Sequence, residues 1–380
     1  MSTGRDPALA KEIVLLLSLS RPHLTDAQVD ECRALLREHG GAFDWGHFID
    51  QAGRHRVLPL VGRNIARHRL HYSAEATSLI PYRWLYTGVY LTNKTRNEHL
   101  AEEFGRIFLA LSDARFPYAV RKGPVLVENL YGDPGLRRMA DLDLLVAPAD
   151  AKHLAEILRQ HGYAQGRLSA DGREVVPFRR ATRAFWRLNI NNELPFVKVS
   201  DRLEVEVFSV DICLSVFQHK RDRGVTQELL DRRRQARLCG QDTYALSPDD
   251  QFIDLCLHFH KEATSLHYIE AGADLQVLKF LDIALSAARL TPSSWRKVRQ
   301  RAGAYNATES VYYALHHART LYPEFVPVEL VADVQPRDVG FLNEYGTVDG
   351  QTCTWDEPLL RRLFHGDRKK TSATSIVPRV

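Results

Sequence analysis

The sequence feature that most constrains this chain is a pair of aspartates inside an apolar run. Asp141 and Asp143 alternate with Leu142 and Leu144 within residues 140–146, which we predict to form a strand. Residues i and i+2 of a strand lie on the same face, so both carboxylates would point the same way. Two like charges on a buried strand are costly unless a cation lies between them. The pair therefore predicts a divalent-metal site.

A turn upstream of the aspartates has the features of a phosphate-binding site. Lys122 precedes an expected helix over 123–131, and Gly123 is its first residue. Pro124 fits this start because proline suits the first helical turn. Backbone amides at a helix N-terminus attract phosphate, and a lysine adds positive charge. Together with the aspartates, this turn indicates metal-assisted chemistry on a phosphate-bearing substrate.

A later strand offers a third carboxylate. Apolar and polar residues alternate over 203–208, which predicts a strand with Glu204 and Glu206 on one face. Glu206 is our candidate for the third metal ligand, with Glu204 as the alternative. Asp211, near the end of this strand, is a further acidic candidate.

The composition is that of an ordinary globular protein and excludes several classes. The chain has 380 residues, 44% hydrophobic and 26% charged, with a net charge of +4. This weak positive charge argues against a long nucleic acid as partner. The apolar run 13–19 is too short to span a membrane, so we expect a cytoplasmic protein. The five cysteines have no paired spacing that would predict a zinc site or a disulfide framework.

The periodicity predicts an α+β fold with four regions. Residues 1–114 and 216–330 show helical spacing, whereas 115–215 mix strands and helices. Residues 331–380 are richer in Pro and Gly and predict an irregular tail. We therefore expect a small mixed β-sheet core, over 115–215, flanked by helical N- and C-terminal regions.

The middle region resembles the DNA polymerase β-type nucleotidyltransferase superfamily. More narrowly, it is similar to a bacterial family of uncharacterised nucleotidyltransferases. That family shows Lys-Gly before a helix, an arginine four residues before Asp-x-Asp, and an acid on a later strand. In this sequence the pattern falls on Lys122-Gly123, Arg137, Asp141, Asp143 and Glu206. Two positions depart from it, because Pro124 stands where Ser or Gly is usual, and Phe208 stands where a histidine follows the third acid.

The resemblance implies a reaction and a set of roles. The reaction is transfer of a nucleoside monophosphate from an NTP, with ATP expected first, to a small-molecule or a peptide or protein acceptor. Pyrophosphate is released, and the setting is natural-product biosynthesis. Mg²⁺, or Mn²⁺, is the expected metal. Metal binding and catalysis fall to Asp141, Asp143 and Glu206, and nucleotide binding falls to Lys122, Gly123 and Arg137.

Two other functions remain open from the sequence. One is a non-catalytic nucleotide-binding or regulatory partner protein. The other is transfer of a phosphoryl group rather than a nucleotidyl group, which the same carboxylates could support. His258 and His260 lie two residues apart on an expected helix and do not share a face, so they predict no metal pair.

Overall fold

The protein has an α+β fold, as the sequence predicts. The structure is a computed structural model that describes residues 9–73, 78–217, 225–348 and 351–365. Helices are the main elements along the chain. In chain order they are α1 (Lys11–Leu19), α2 (Asp26–His39), α3 (Trp45–Arg54), α4 (Leu58–Arg67), α5 (Arg83–Ala110), α6 (Gly123–Leu126), α7 (Ala151–Gln160), α8 (Arg180–Asn189), α9 (Val225–Asp231), α10 (Pro248–Thr264), α11 (Leu266–Glu270), α12 (Val277–Ala287), α13 (Pro292–Ala304), α14 (Thr308–Leu321), α15 (Val328–Asp333) and α16 (Leu359–Leu363).

The strands form one large sheet and two small ones. The strands are β1 (Tyr118–Arg121), β2 (Leu142–Val146), β3 (Ala164–Gln165), β4 (Arg167–Leu168), β5 (Val175–Val176), β6 (Phe196–Arg202), β7 (Val205–Cys213), β8 (Arg234–Leu238), β9 (Gln241–Ala245), β10 (Glu344–Val348) and β11 (Gln351–Thr354). The large sheet has seven strands in the order β3-β6-β7-β2-β1-β9-β8. Its centre is mixed, because β2 runs antiparallel to β1 and parallel to β7.

The chain divides into two compact units, which we describe separately. The first comprises residues 1–91, 259–285 and 312–380, and the second comprises 92–258 and 286–311. The seven-stranded sheet lies wholly in the second unit. The division into four regions along the chain stays a prediction. Strands β8 and β9 lie in the span predicted as helical, and residues 366–380 of the predicted tail lie outside the described residues.

The first unit is mostly helical, with a hairpin of β10 and β11 near its end. Its helices bury apolar residues at helical spacing, such as Leu15, Leu16 and Leu19 of α1. Within this unit the Ser20 hydroxyl lies 2.9 Å from the Tyr322 hydroxyl, and both residues are fully buried. No helix in the described ranges combines the length and apolarity that crossing a bilayer would require.

One face of the large sheet forms the core of the second unit. Leu142 and Leu144 of β2 and Val210 and Ile212 of β7 are fully buried in one apolar cluster. Helices α5 and α7 cover this face with their own apolar stripes. Because side chains alternate along a strand, Asp143 and Asp211 point to the opposite face. Burial of the apolar residues therefore determines which face of the sheet carries these polar side chains.

The buried stripe of α5 begins with polar residues and goes on mainly with apolar ones. The buried positions of this helix within the second unit follow helical spacing, but the first three are polar. The stripe consists of Asn93, Arg96, Asn97, Leu100, Glu103, Phe104, Ile107 and Phe108, and the buried Leu111 follows just after the helix. Buried polar side chains require hydrogen-bond partners, so the polar part of the stripe marks a specific contact.

That contact is the loop before β2. Asn97 donates to the carbonyl oxygens of Pro134 and Arg137, both at 2.6 Å, and accepts from the Met139 amide at 3.2 Å. Asn93 donates to the Gly135 carbonyl at 2.9 Å. All of these bonds go to the loop backbone, so α5 fixes the path of the chain into β2.

The segment 180–189 differs from its sequence prediction. Residues 184–190 predict a strand from their aromatic and aliphatic content, but the structure has helix α8 there. This helix has no buried residue, and its Phe185 and Leu188 side chains are 59% and 73% exposed. Helical spacing of Arg180, Arg183 and Arg187 is the sequence signal that the strand interpretation overlooked.

We expect Asn97→Ala to loosen the loop and destabilise the protein by about 2–4 kcal/mol, because it leaves buried carbonyl groups without donors. The thermal unfolding midpoint should fall, and amide hydrogen exchange across residues 134–141 should speed up. Asn129→Ala is the matched control, because Asn129 is exposed in the second unit. Equal effects of the two substitutions, or unchanged exchange in the loop, would contradict the role of α5.

Candidate active site

Strand register brings two aspartates together. Asp143 of β2 is paired with Asp211 of β7 on one side and with Arg121 of β1 on the other. Neighbouring strands lie about 4.8 Å apart, so these side chains are direct neighbours on the face away from the core. Asp143 is only 8% exposed, and Asp211 is partly buried. Asp141, also partly buried, immediately precedes β2. We call Asp141, Asp143 and Asp211 the carboxylate cluster.

Cations compensate Asp143. Lys122 Nζ lies 3.5 Å from Asp143 Oδ2 and 3.1 Å from His258 Nδ1. Burial raises the pKa of Asp143, but Lys122, Arg121 and His258 outweigh burial and lower this pKa to about 2. The Cys213 thiol adds a contact to Asp143 Oδ1 at 3.5 Å. Asp143 is therefore an ionised carboxylate at neutral pH.

Asp211 is in the opposite electrostatic state. Burial raises its pKa, and the negative charges of Asp143 and Asp141 raise it further, to about 8. Lys122 and Arg121 lower the pKa of Asp211, but not enough to offset these effects. When two neighbouring carboxylates have too little positive charge nearby to ionise together, one is ionised and the other keeps its proton. The cluster therefore has capacity for an added cation.

Helix α10 supports this site from the side. Asp254 accepts two hydrogen bonds from the Arg121 guanidinium, one of them at 3.0 Å from Nε, and both residues are buried. Gln251 accepts from the Lys122 amide at 3.3 Å. A bidentate arginine–carboxylate pair fixes both side chains in orientation. Asp254 thus holds the Arg121 guanidinium beside Asp143 and also balances the charge of that guanidinium.

The turn at Lys122 has an unusual backbone. Lys122 has φ +44° and ψ −127°, in the left-handed region that non-glycine residues seldom adopt. The next residue, Gly123, is buried, and a Cβ added to it would lie 3.0 Å from the Asp141 carbonyl oxygen. This close approach of the backbone at Gly123 to the backbone at Asp141 explains why residue 123 is a glycine. It also places Lys122 directly at the carboxylate cluster.

The other residues proposed from the sequence lie in different surroundings. Glu206 is exposed, five residues before Asp211, which is about 16 Å along an extended strand. Glu204 Oε2 lies 3.6 Å from His99 Nδ1. The register thus places Asp211, and neither glutamate, opposite Asp143. Arg137 is partly buried, and its carbonyl oxygen is held by Asn97.

Several residues of this site were missed by the sequence reasoning. Arg121, Asp254 and Cys213 had no assigned role, and Asp211 was only an additional candidate. A signal existed for Asp211, because a second apolar alternation, shifted by one residue from that of 203–207, runs through Phe208, Val210 and Ile212. It indicates that the strand extends past the predicted end. No local pattern indicates that Arg121 and Asp254, far apart in sequence, form a pair.

The carboxylate cluster fits a divalent cation by its chemistry. Mg²⁺ and Mn²⁺ prefer carboxylate oxygens, and since burial and the charges of Asp143 and Asp141 raise the pKa of Asp211, an added cation would favour its ionised form. Within the described ranges, no three His, Cys, Asp or Glu side chains are already gathered as a complete metal site. The donor set is therefore suitable, with Asp143 and Asp211 as its adjacent pair.

The protonated state of Asp211 predicts a pH effect on the metal-free protein. In the unfolded chain Asp211 releases its proton near the ordinary pKa of 3.8, whereas in the fold it keeps the proton to about pH 8. Stability therefore falls as pH rises through this window, since the unfolded state binds fewer protons. Asp211→Asn removes this loss. With a chelator present, its stability relative to wild type should rise by about 1–2 kcal/mol from pH 5 to pH 7.

The measurement is urea unfolding of wild type and variant at each pH. Asp201→Asn serves as control, because the Asp201 side chain is 93% exposed and should give a difference that does not change with pH. A pH-independent difference for Asp211→Asn would show that Asp211 is ionised in the fold.

Comparison with known families agrees with the chemistry of this site. A family described as "Uncharacterised nucleotidyltransferase" matches residues 41–323, which is more than half of the chain. This range includes the carboxylate cluster, Lys122 and helix α10. Comparisons with curated proteins and with solved structures find no match. The chain therefore belongs to the uncharacterised nucleotidyltransferase family, which supports nucleotidyl transfer as its general activity.

Proposed function

We propose that this protein transfers a nucleoside monophosphate from an NTP to an acceptor, with release of pyrophosphate, at the carboxylate cluster. The observation that carries the proposal is the pairing of Asp143 with Asp211 across adjacent parallel strands, with Lys122 at 3.5 Å from Asp143. Family membership supports the transferase class. An acid-bearing strand pair beside a Lys-Gly turn also supports membership of the DNA polymerase β-type superfamily.

The cluster would hold Mg²⁺ or Mn²⁺ through Asp143 and Asp211, with Asp141 as the further carboxylate. A bound divalent cation supplies charge stabilisation for the phosphoryl group in transfer. Asp143 is already ionised, whereas Asp211 must release its proton to become a ligand. Metal binding should therefore release a proton at neutral pH. In this proposal Asp211 takes the place that the sequence analysis gave to Glu206.

Lys122 is the candidate for holding the nucleotide phosphates. It is the lysine at the cluster, and the surrounding fold holds it at the end of β1 in a strained backbone conformation. Gly123 lies in a buried turn where the chain passes close to the Asp141 carbonyl oxygen. We therefore give Gly123 a positioning role. Arg137 lies on the loop that α5 fixes and is the second phosphate candidate.

His258 is the candidate for moving the acceptor's proton. Its Nδ1 lies 3.1 Å from Lys122 Nζ, and its charge contributes to the pKa of Asp143. Histidine suits proton transfer near neutral pH. This assignment gives α10 a part in the chemistry as well as in holding Arg121.

The finer parts of the function follow from the sequence resemblance alone. We propose ATP as the preferred nucleotide substrate and a small molecule, peptide or protein as the acceptor, in natural-product biosynthesis. A cytoplasmic location is proposed instead from the shortness of the apolar run 13–19. The weak net charge of +4 supports an acceptor other than a long nucleic acid.

We expect Asp143→Ala and Asp211→Ala each to lower transfer at least about a hundredfold, because each removes a carboxylate from the cluster. Glu206→Ala is the matched control, with an expected change below about twofold. The measurement is pyrophosphate release from labelled NTP with Mg²⁺, together with the mass added to the acceptor.

The outcomes separate the alternatives. Addition of a nucleoside monophosphate supports the proposal, whereas addition of phosphate alone shows phosphoryl transfer. NTP binding without turnover on any acceptor would favour a non-catalytic binding role. A hundredfold loss for Glu206→Ala with full activity of Asp211→Ala would restore the sequence assignment and overturn ours.

Lys122→Met should change nucleotide and metal binding in opposite directions. Loss of the lysine should weaken NTP binding about tenfold, since a charge-assisted phosphate contact disappears. In the absence of nucleotide the same variant should bind Mn²⁺ severalfold more tightly, because Asp143 loses the neighbouring cation that competes with the metal. The measurements are calorimetry with NTP and electron paramagnetic resonance of free Mn²⁺.

Lys297→Met is the control for this pair of measurements. Lys297 carries the same charge in the second unit, but its side chain is 54% exposed and its carboxylate neighbour is Asp249, at 3.9 Å. It should leave both affinities unchanged. Weaker Mn²⁺ binding in Lys122→Met would show that the lysine supports the metal site instead of competing with it.

A further inference from the structure

A second charged concavity lies in the same unit, away from the carboxylate cluster. Helices α7 and α8, the segment 190–194 and Leu214 line a cleft of about 870 Å³, which we call the α7–α8 cleft. This volume lies in the range of small-molecule sites. Neither Lys122 nor any member of the carboxylate cluster lines it. Its wall α7 covers the core face of the sheet, whereas Asp143 and Asp211 lie on the opposite face.

Cations dominate the lining of this cleft. Five basic side chains line it, against the two acidic side chains of Glu156 and Glu193. The basic residues are Lys152, Arg159, Arg180, Arg183 and Arg187. The cleft thus has a local excess of three positive charges, although the whole chain has only +4.

Helix α8 turns its charged side toward the cleft. Arg180, Arg183 and Arg187 follow the i, i+3, i+7 spacing of one helical face and line the cavity. Phe185 and Leu188 are not part of the lining and are 59% and 73% exposed. A surface helix ordinarily packs its apolar face inward and leaves its charges in water. Here the arginines line the cleft together with Trp186, whereas Phe185 and Leu188 are left in water, which indicates that the arginines serve the cleft.

Two of these arginines are available for a ligand. Arg159 Nη1 is paired with Glu156 at 3.2 Å. Arg180 and Arg183, in contrast, have no carboxylate partner in the part of the chain that the structure describes. The orientation of α8 is fixed independently by Trp186, whose Nε1 donates to the Asn192 carbonyl at 2.9 Å. The arginines are thus presented on a helix that does not depend on them for its position.

We propose that the α7–α8 cleft binds a small molecule that carries several phosphate groups. Arginine presents paired donors that match phosphate oxygens. A concave site favours a compact ligand, since a nucleic-acid backbone requires an extended basic stripe. The apolar walls, including Ile190, Leu194 and Leu214, can accept the carbon part of such a ligand. This site is separate from the proposed reaction and does not rest on it.

The test uses the intact protein with inorganic tripolyphosphate as probe, without divalent cations and with a chelator present. The double variant Arg180→Gln/Arg183→Gln should bind tripolyphosphate at least about tenfold more weakly in calorimetry. Its affinity should also fall less steeply with added NaCl, because fewer charges take part. Both arginines are exposed, so circular dichroism should show an unchanged fold.

Arg173→Gln/Arg202→Gln is the matched control. It removes the same charge from two arginines outside the cleft, each near a neighbouring aspartate. It should keep wild-type affinity. Equal weakening in both double variants would overturn the proposal as a nonspecific charge effect.

Two other results would also overturn it. Loss of tripolyphosphate binding in Lys122→Met, but not in Arg180→Gln/Arg183→Gln, would place the probe at the carboxylate cluster. A 20-nucleotide single-stranded RNA that binds through Arg180 and Arg183 while tripolyphosphate does not would make the cleft part of a nucleic-acid surface. Failure of the proposed transfer reaction would leave the expected pattern of these variants unchanged.

Discussion

The second unit depends on one costly arrangement, the two carboxylates placed side by side by strands β2 and β7. Asp143 and Asp211 cannot both be ionised at neutral pH without added positive charge, as the pKa values of about 2 and about 8 express. The protein itself supplies Lys122 and Arg121, and it then ties Arg121 to Asp254. This positive charge does not offset burial and repulsion at Asp211, whose pKa stays raised. An added cation would favour the ionised form of Asp211, which makes the pair suited to bind one.

The same sheet explains how the site is held in place. Apolar side chains of β2 and β7 are buried on the α5 and α7 face, which forces the alternate polar residues to the other face. A slip of one residue in the pairing of β2 with β7 would turn the aspartate of one strand toward the apolar core, so the core fixes the register that the site needs. Helix α5 contributes twice, with an apolar stripe under the sheet and with Asn93 and Asn97 on the loop that leads into β2.

The sequence predicted those features that depend on neighbours along the chain. The α+β class, the aspartate pair and the apolar strand around it follow from local periodicity. The third carboxylate depends on which residue of β7 pairs with Asp143, and that register is set by long-range packing. Glu206 stands in an alternating stretch as Asp211 does, but it lies outside the span 210–213 of β7 that pairs with β2. Helix α8 was missed because Phe185, Trp186 and Leu188 favour a strand locally, although the spacing of three arginines favours a helix.

Bulk charge could not have revealed either polar site, because the two have opposite sign. The carboxylate cluster concentrates negative charge on one face of the sheet, whereas the α7–α8 cleft concentrates an excess of three positive charges beyond the other face. The net charge of +4 is the sum of 51 basic and 47 acidic side chains, and it records neither concentration. What a ligand meets is the local field, since charges farther away than about 8–10 Å are screened in physiological salt. The arrangement of charge, set by strand register on one face and by the rotation of α8 on the other, therefore carries the chemical information that composition lacks.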